Sequence, residues 1–218
     1  MTLRVAELFR SLQGEGPSAG TPAHFLRLQG CDVGCHWCDT KYSWEAEGGR
    51  SLSVAAAFAE LRALGEARLL VVTGGEPLAH PAVERLLAKA VGRWPRVEVE
   101  TSGVRPPPLT HERLHYIWSP KLPSATARWS ETWAHRERFV GDPRTTVKIV
   151  VGLGDHDDAI RLVREHDLPR ERVMLMPEGL TGDAVRAGAL SLAEVCQREG
   201  LRLSPRLHVW MWGARRGV

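Results

Sequence analysis

Strand-like and helix-like runs alternate along most of this sequence, and this alternation constrains the fold more than any other feature. Apolar and β-branched stretches predict six main strands, at residues 23–29, 69–72, 97–100, 115–118, 145–151 and 172–176. Most are separated by runs with helical spacing, which implies right-handed βαβ units and a parallel sheet. Six strands are too few for a closed eight-stranded barrel, which typically takes about 250 residues. We therefore expect an α/β fold, a partial and open parallel β/α barrel.

Helices and less regular segments complete this prediction. Helices are expected at residues 53–64, from Pro81 onward, at 155–166 and at 181–199. Ser53 is expected to cap the first of them, because a serine oxygen can accept from free amide groups at a helix start. Residues 201–209 are predicted to be extended, whereas residues 8–16 fit neither a good helix nor a strand.

Length and composition limit the class of protein. The 218 residues fit one domain, which we take as residues 1–218. The 29 basic and 26 acidic residues give a net charge of +3, too weak to indicate nucleic acid or an anionic membrane as a partner. No apolar run approaches the roughly 18 residues that a membrane span needs, and no secretory signal is visible at the start. Crowding of three of the four cysteines within eight residues does not suit a disulfide framework, so we expect a reducing, cytoplasmic setting.

The cysteine cluster is the strongest chemical signal in the sequence. Cys31, Cys35 and Cys38 have the spacing C-x3-C-x2-C directly after the first predicted strand. Gly30 and Gly34 give this loop the backbone freedom to curl three thiolates around one group. Three thiolates suit a 4Fe–4S cluster that keeps one iron open for another ligand.

A structural zinc site is the alternative for the same loop. Zinc needs four ligands, usually arranged as paired C-x2-C units, and this sequence has only one such pair. Cys196 lies far away on the apolar side of the last predicted helix, where we expect a buried small hydrophobe. The fourth zinc ligand would then have to be a histidine: His24, His36 or His80.

The cysteine loop resembles that of the radical S-adenosylmethionine (SAM) superfamily, in which an aromatic residue such as Trp37 often precedes the third cysteine. The stretch TGGEP at 73–77 is similar to the family's GGEP motif, although alone it also fits an ordinary strand-to-helix turn. The resemblance implies a radical SAM type of open barrel. It further implies a 4Fe–4S cluster and bound SAM, which together generate a radical that abstracts hydrogen from substrate.

The chain also resembles one branch of that superfamily, the 7-carboxy-7-deazaguanine synthases of the queuosine pathway. The resemblance rests on FRSLQGEG at 9–16, CDT at 38–40, ETSG at 100–103, SPK at 119–121 and RGV at 216–218. It implies conversion of 6-carboxy-5,6,7,8-tetrahydropterin to 7-carboxy-7-deazaguanine with loss of ammonia. It also implies dependence on magnesium, a flavodoxin-like reductant and a homodimer.

Candidate substrate residues follow from this second resemblance. The N-terminal segment, residues 1–22, is expected to bind the pterin through Leu12, Gln13, Gly14 and Glu15. Arg27 would pair with the substrate carboxylate, Thr73 would face the substrate and Thr40 would bind magnesium. The plainer alternatives are a surface turn at 13–16, an outward-facing Arg27 and a helix-capping Thr40.

The same resemblance assigns SAM to residues at the ends of the predicted strands: Trp37, Asp39, Gly75, Ser102, Ser119, Pro120 and Lys121. His208 is expected in a closing strand, either lining the pocket or buried in the core, and Val218 is a candidate for a backbone contact. Two other functions remain open at this stage. One is a glycyl-radical-enzyme activase, and the other is a non-enzymatic zinc or iron–sulfur binding module.

Overall fold

A computed structural model describes residues 2–213 and 215–218, and its centre is one nine-stranded sheet. The strands are β1 (Leu3–Leu12), β2 (Pro22–Leu28), β3 (Arg50–Leu52), β4 (Leu69–Gly74), β5 (Arg96–Thr101), β6 (Leu114–Trp118), β7 (Thr146–Val151), β8 (Val173–Pro177) and β9 (Arg202–Leu203). Their order across the sheet is β3-β1-β2-β4-β5-β6-β7-β8-β9. The sheet is open, with β3 at one edge and β9 at the other.

Six α-helices accompany the sheet in the described part of the chain. They are α1 (Val54–Ala63), α2 (Val83–Ala90), α3 (Arg136–Val140), α4 (His156–Glu165), α5 (Gly182–Glu199) and α6 (Leu207–Trp212). Ser53 caps α1 as expected, since its hydroxyl accepts from the amide of Ala56 at 3.1 Å. The helix predicted from Pro81 starts two residues later, at Val83, after a short 3-10 turn at Pro77–Ala79.

The six predicted strands are all present. They correspond to β2, β4, β5, β6, β7 and β8, and each runs parallel to its neighbour in the sheet. The partial, open parallel barrel is therefore confirmed. Because neighbouring parallel strands have their carboxyl ends at one edge of the sheet, the loops after β2, β4, β5 and β6 meet there. This brings the cysteine loop together with the motifs at 73–77, 100–103 and 119–121.

The central strands bury one apolar face under the helices, and their opposite face is mixed. A row formed by Leu26, Val72, Val99 and Tyr116 crosses β2, β4, β5 and β6 in register and lies in the main hydrophobic core under the helices. The opposite face carries polar side chains such as Arg27, which pairs in register with Thr73. The apolar face provides the burial that stabilises the barrel, and the mixed face lines its interior, where Phe25 and Val71 accompany the polar side chains.

The N-terminal prediction was wrong for residues 8–12. This segment forms the end of β1, which pairs antiparallel with β2 and places Phe9 opposite Phe25. The two rings stack with centroids 4.6 Å apart. Cross-strand pairing of this kind stabilises a strand through residues of its neighbour, so the local sequence pattern does not reveal it. The other antiparallel strand, β3, was also missed, and it has only three residues.

The prediction of an extended segment at 201–209 was mostly wrong as well. Only Arg202 and Leu203 form a strand, and residues 207–212 form helix α6. Pro205 interrupts the segment, because a proline cannot donate to a sheet. His208 therefore lies on a helix rather than on a closing strand. None of the described helices combines the length and the apolar character that crossing a membrane requires.

Candidate active site

Two cavities open at the carboxyl edge of the sheet. The first, here called the cysteine-side cavity, has a volume of about 170 Å³. Its lining includes Cys31, Cys35, Cys38, Trp37, Asp39, Gly75, Ser102, Ser119 and Lys121. Every predicted cluster ligand is in this set, and so is every predicted SAM residue except Pro120. The tertiary fold thus gathers four separate loops around one space.

The second, here called the tail-side cavity, has a volume of about 190 Å³. It is lined by all six predicted substrate residues: Leu12, Gln13, Gly14, Glu15, Arg27 and Thr73. His208 and Val218 also line it. The two cavities share Glu15, Asp39, Thr40, Thr73, Gly74 and Glu100 in their linings, so a group bound in one lies next to a group bound in the other.

The three clustered cysteines are thiols with no disulfide partner. Gly30 and Gly34 both have positive φ, of 101° and 69°, as the tight loop requires. Burial raises the pKa of the Cys31 and Cys35 thiols, and the amides of Val33 and Gly34 partly oppose this at Cys31. Cys196 lies elsewhere, buried in α5, with its Sγ 3.6 Å from the Arg202 carbonyl oxygen.

The arrangement does not suit a single zinc ion. Within residues 2–213 and 215–218, no three His, Cys, Asp or Glu side chains come close enough to hold one metal ion. His24, near the start of β2, is engaged elsewhere, because it lies 2.8 Å from the Gly65 carbonyl and 3.1 Å from the Trp94 indole nitrogen. Thiolates that bind different corner irons of a cluster stand farther apart than the ligands of one ion, so three cysteines around a shared cavity fit a 4Fe–4S cluster.

The other two candidate histidines are also occupied. The Nδ1 atom of His36 lies 3.1 Å from the Ala125 carbonyl oxygen. The ring nitrogens of His80 lie 3.1 and 3.2 Å from the backbone nitrogens of Arg4 and Ala82. The structure therefore gives no support to a fourth, histidine ligand.

The stretch at 73–77 is more than a turn, because its glycines pack directly against the cysteine loop. A Cβ atom at Gly75 would lie 2.0 Å from the Gly30 carbonyl oxygen and 2.9 Å from the Cys31 Cβ. One at Gly74, where φ is 133°, would lie 2.1 Å from the Leu28 carbonyl oxygen. Glycine is thus required for the two loops to approach, and the exposed backbone between them is available to a ligand.

Glu76 ties these loops together from a fully enclosed position. Its carboxylate accepts from the Thr101 hydroxyl at 2.6 Å and from the backbone amide and hydroxyl of Ser102 at 2.8 and 2.5 Å. It also accepts from the Leu78 amide at 3.0 Å. The conformation of the β5 loop therefore depends on a side chain supplied by the β4 loop.

Trp37 and the loop after β6 form the other wall of the cysteine-side cavity. The Lys121 ammonium lies 5.3 Å from the centre of the Trp37 ring, within cation–π range, and donates to the Ser119 hydroxyl at 3.0 Å. Lys121 is held from behind by the hydroxyl of Thr132, which accepts from its backbone amide at 2.9 Å.

Arg27 faces the interior of the barrel, so the outward-facing alternative was wrong. Glu7, directly opposite on β1, accepts from its Nε at 3.0 Å. The Tyr42 hydroxyl donates to the same Glu7 oxygen at 2.6 Å, and burial raises the Tyr42 pKa to about 12, which keeps this donor protonated. Glu7 and Tyr42 also line the tail-side cavity, and the sequence reasoning missed both of them.

Thr40 lies where the two cavities meet. It stands at the start of the 3-10 turn Lys41–Ser43 but makes no side-chain capping bond there, so the helix-cap alternative is not realised. Its Oγ1 lies 3.5 Å from the Cys38 Sγ. The hydroxyl is therefore positioned beside the cysteines and open to both cavities.

Buried ion pairs separate the two cavities. The Lys148 ammonium donates to Glu15 and Glu100, at 2.6 Å in each case, and Arg206 donates to Glu15 at 3.1 Å and to Asp39. Lys148, Glu100 and Arg206 were not among the predicted site residues. A signal for Lys148 existed, since it is a lone lysine in the otherwise uncharged strand Thr146–Val151.

These contacts govern how the buried groups ionise. Burial would raise the pKa of Glu15, but attraction to Lys148 and Arg206 outweighs it and holds the pKa well below its usual range. Burial likewise opposes the charge on Lys148, yet Glu100 and Glu15 raise its pKa. For Glu100 burial prevails and raises the pKa despite Lys148. Burial lowers the pKa of His208, whose Nε2 lies 3.7 Å from Glu15.

Comparison with known proteins agrees with this geometry at the level of the superfamily. Residues 26–117 match the family model described as the Radical SAM superfamily. This span begins in β2 and ends in β6, so it includes the cysteine loop and the Gly74–Gly75 turn. A crystal structure of Streptococcus suis SuiB bound to S-adenosylmethionine shares only the fold, at 11% identity and a TM-score of 0.55 over 80% of this chain and 44% of that one.

Closer relatives cover the whole chain. A 7-carboxy-7-deazaguanine synthase of Pyrobaculum aerophilum is 39% identical, with 99% of this chain and 97% of that protein aligned. One from Hyperthermus butylicus is 36% identical over 95% of this chain and 92% of that protein. The crystal structure of QueE from Escherichia coli matches with a TM-score of 0.70 at 32% identity, covering 95% of each chain. The chain belongs to the 7-carboxy-7-deazaguanine synthase family, a branch of the radical SAM enzymes.

Proposed function

We propose that this protein converts 6-carboxy-5,6,7,8-tetrahydropterin to 7-carboxy-7-deazaguanine and ammonia in a magnesium-dependent radical reaction. The observation that carries the proposal is the adjacency of the two cavities, which share a wall while one holds the cysteines and the other holds Arg27. The substrate contains the same atoms as the product plus one ammonia. The conversion therefore needs no net oxidant or reductant, which agrees with SAM being regenerated.

The cysteine-side cavity suits the cofactors of the radical SAM family. Cys31, Cys35 and Cys38 would hold the 4Fe–4S cluster, and the backbone at Gly75, with Ser102, would bind the methionine part of SAM. When bound, the cluster and SAM supply the radical that removes a hydrogen atom from substrate. The buried walls of the cavity exclude water and stray hydrogen donors from that step.

Further SAM contacts are proposed on the opposite wall of the same cavity. Trp37 and Asp39 would contact SAM beside the cysteines, and Ser119 and Lys121 would do so from the β6 loop. Pro120 does not line the cavity, so we propose that it shapes this loop between its two neighbours.

The tail-side cavity suits a flat, hydrogen-bonding substrate with a carboxylate. Arg27 is proposed to bind that carboxylate, since Glu7 holds its Nε and leaves the rest of the guanidinium fork to face the cavity. Leu12 and Gly14, through their backbone, and Gln13 and Glu15, through their side chains, would read the polar edge of the pterin. These residues form one continuous segment that begins at the last residue of β1.

Two further residues are proposed at the boundary between substrate and cofactor. Thr73 would contact substrate from the end of β4. Thr40 would supply one oxygen to a magnesium ion whose other ligands are substrate and water, as magnesium tolerates in proteins. His208 and Val218 line the same cavity, so α6 and the last residue would cover the bound substrate.

The direct test is an anaerobic assay of the reconstituted enzyme. Protein loaded with iron and sulfide is given reductant, SAM, magnesium and 6-carboxytetrahydropterin, and products are followed by mass spectrometry. We expect a product lighter than the substrate by one ammonia, with SAM not consumed. Formation of 5′-deoxyadenosine without that product would keep the radical chemistry and reject the substrate. Absence of both products from cluster-loaded protein would instead favour a binding module.

The broader setting of the enzyme is proposed from the family resemblance. We propose a flavodoxin-like reductant and a homodimer, which light scattering and reduction by purified flavodoxin would test. Four cysteines without disulfide partners are consistent with the proposed cytoplasmic location. The single continuous sheet supports treating residues 1–218 as one domain, with residues 1–22 as its substrate-binding segment.

A further inference from the structure

Among the described residues, Lys148 is the one lysine buried inside the barrel, with 4% of its side chain exposed. It projects from β7 into the cysteine-side cavity. Its ammonium lies 2.6 Å from Glu15 Oε2 and 2.6 Å from Glu100 Oε2. Lys148 therefore joins the substrate-binding segment after β1 to the end of β5, two elements that are not adjacent in the sheet.

Glu15 and Glu100 occupy a special place, because both line both cavities. Each uses one oxygen for Lys148. The other oxygen of Glu15 accepts from Arg206 Nε at 3.1 Å, and that of Glu100 accepts from Gln13 Nε2 at 3.3 Å. A carboxylate oxygen can accept more than one hydrogen bond, so each carboxylate keeps capacity for a donor in the tail-side cavity.

Lys148 offsets part of the negative charge around the pair. Three carboxylates, those of Glu15, Glu100 and Asp39, meet two cations, Lys148 and Arg206. Arg206 pairs with Glu15 and Asp39, and within the described part of the chain Lys148 is the cation that pairs with Glu100. Two buried carboxylates close together cannot both ionise unless a cation lies between them.

We propose that Lys148 is a positioning residue, which holds Glu15 and Glu100 side by side and ionised so that together they accept N–H donors from the substrate. The inference rests on the proposed function, in which the tail-side cavity binds a pterin. It deepens that function by naming the chemistry selected there: a ligand edge with neighbouring N–H donors. Lys148 itself need not touch the substrate, because it acts through the two carboxylates.

Removal of the cation has a pH-dependent consequence. Glu100 faces Lys148 from β7, Glu15 from the segment after β1, and Glu98 from its own strand, and burial already raises its pKa. Loss of Lys148 raises that pKa further, so at any given pH a larger fraction of Glu100 is protonated and stops accepting. Glu15 stays ionised, because Arg206 still faces it and His208 lies near it. Raising the pH restores the Glu100 carboxylate and with it substrate binding.

The experiment measures pterin binding rather than turnover. Cluster-loaded protein with SAM and magnesium is dialysed to equilibrium against 6-carboxytetrahydropterin, from about pH 6.5 to about pH 9. Lys148→Met is expected to weaken binding about tenfold or more at neutral pH, and the loss relative to wild type shrinks as the pH rises. Lys89→Met, the same change on the exposed side of α2, is the matched control and leaves binding unchanged.

A second pair of variants keeps the proposal testable if Lys148→Met fails to fold. Lys148→Met combined with Glu100→Gln removes one positive and one negative charge, so the net charge of the site does not change. Because Lys148 acts through Glu100, the double variant should bind pterin within about threefold of Glu100→Gln alone. Losses that multiply in the double variant would overturn the proposal, and so would a Lys148→Met loss that is independent of pH.

These outcomes separate the proposal from the proposed function. If wild-type protein binds the pterin but forms no 7-carboxy-7-deazaguanine, the reaction falls while the binding series still decides the role of Lys148. If wild-type protein does not bind the pterin at all, both are rejected. Binding by Lys148→Met that equals wild type at every pH rejects the role of Lys148 and leaves the function standing.

Discussion

The two cavities differ in how they are built. The cysteine-side cavity is formed by short loops that follow consecutive parallel strands, and the key contacts are backbone approaches such as Gly75 on Gly30. The tail-side cavity combines segments from both ends of the chain and has charged side chains in its wall, with Arg27 bound to Glu7, while Lys148 and Arg206 hold Glu15 at the boundary with the other cavity. In the proposed function, backbone geometry thus serves the cofactors, whereas buried charge serves the substrate.

The largest effect is expected from the cluster ligands. Replacing Cys31, Cys35 or Cys38 by Ala should abolish SAM cleavage and cluster retention, because each would hold a different iron. Cys196→Ala is the matched control and should keep full iron content, since Cys196 is buried in α5 away from the cavity. Iron analysis and 5′-deoxyadenosine formation measure both; equal losses at all four cysteines would reject the ligand assignment.

Arg27→Met should weaken substrate binding without affecting the cofactor site. Loss of a charge-assisted contact costs about 1.5–3 kcal/mol, which corresponds to roughly a 10- to 150-fold rise in KM for the carboxylated pterin. SAM cleavage in the absence of substrate should not change. The variant should also lose its preference for 6-carboxytetrahydropterin over the analogue without the carboxylate. Arg62→Met on the exposed side of α1 is the control, and a preserved preference in Arg27→Met would argue against carboxylate binding.

Gly75→Ala tests the cofactor side through the backbone. The added methyl would lie 2.0 Å from the Gly30 carbonyl oxygen, so the loops must move apart. Overpacking of this kind costs about 1–3 kcal/mol in the free energy of unfolding, and SAM affinity should fall with it. Urea unfolding and SAM binding measure the two effects. In Gly92→Ala the nearest atom is 3.7 Å away, so unaltered stability is expected, and a tolerated Gly75→Ala would show that the loops do not need this approach.

Thr40→Ala is expected to have the smallest effect and to sharpen the boundary between the cavities. It would remove the one protein oxygen proposed to bind magnesium, while the other proposed ligands remain, so the magnesium concentration for half-maximal activity should rise about tenfold. Cluster content should stay at the wild-type level. Exposed Thr110→Ala serves as the control. A magnesium response identical to wild type would remove Thr40 from the site.

The sequence by itself determined the parallel barrel and the cysteine side. A continuous apolar run predicts strands such as Leu69–Gly74. Consecutive parallel strands bring the loops that follow them to one edge of the sheet, regardless of the loop sequences. Local spacing therefore carried over to spatial proximity. This is why six of the seven expected SAM residues share one cavity with the three cysteines.

On the substrate side the family resemblance named the residues that line the cavity, but only the tertiary structure decided what holds them in place. Strand β1 was missed because its stability comes from pairing with β2. Helix α6 was missed although Pro205 marks a break, because a short apolar run such as Leu207–Trp212 fits a strand as well as a helix. The partners of Glu15 lie 133 and 191 residues away in sequence. A charged residue in a sequence normally indicates a surface position. The sequence around Glu15 therefore does not reveal that its side chain is buried. A buried charge without a partner destabilises the fold, so Glu15 needs cations beside it. Which cations lie there is set only when the chain has folded.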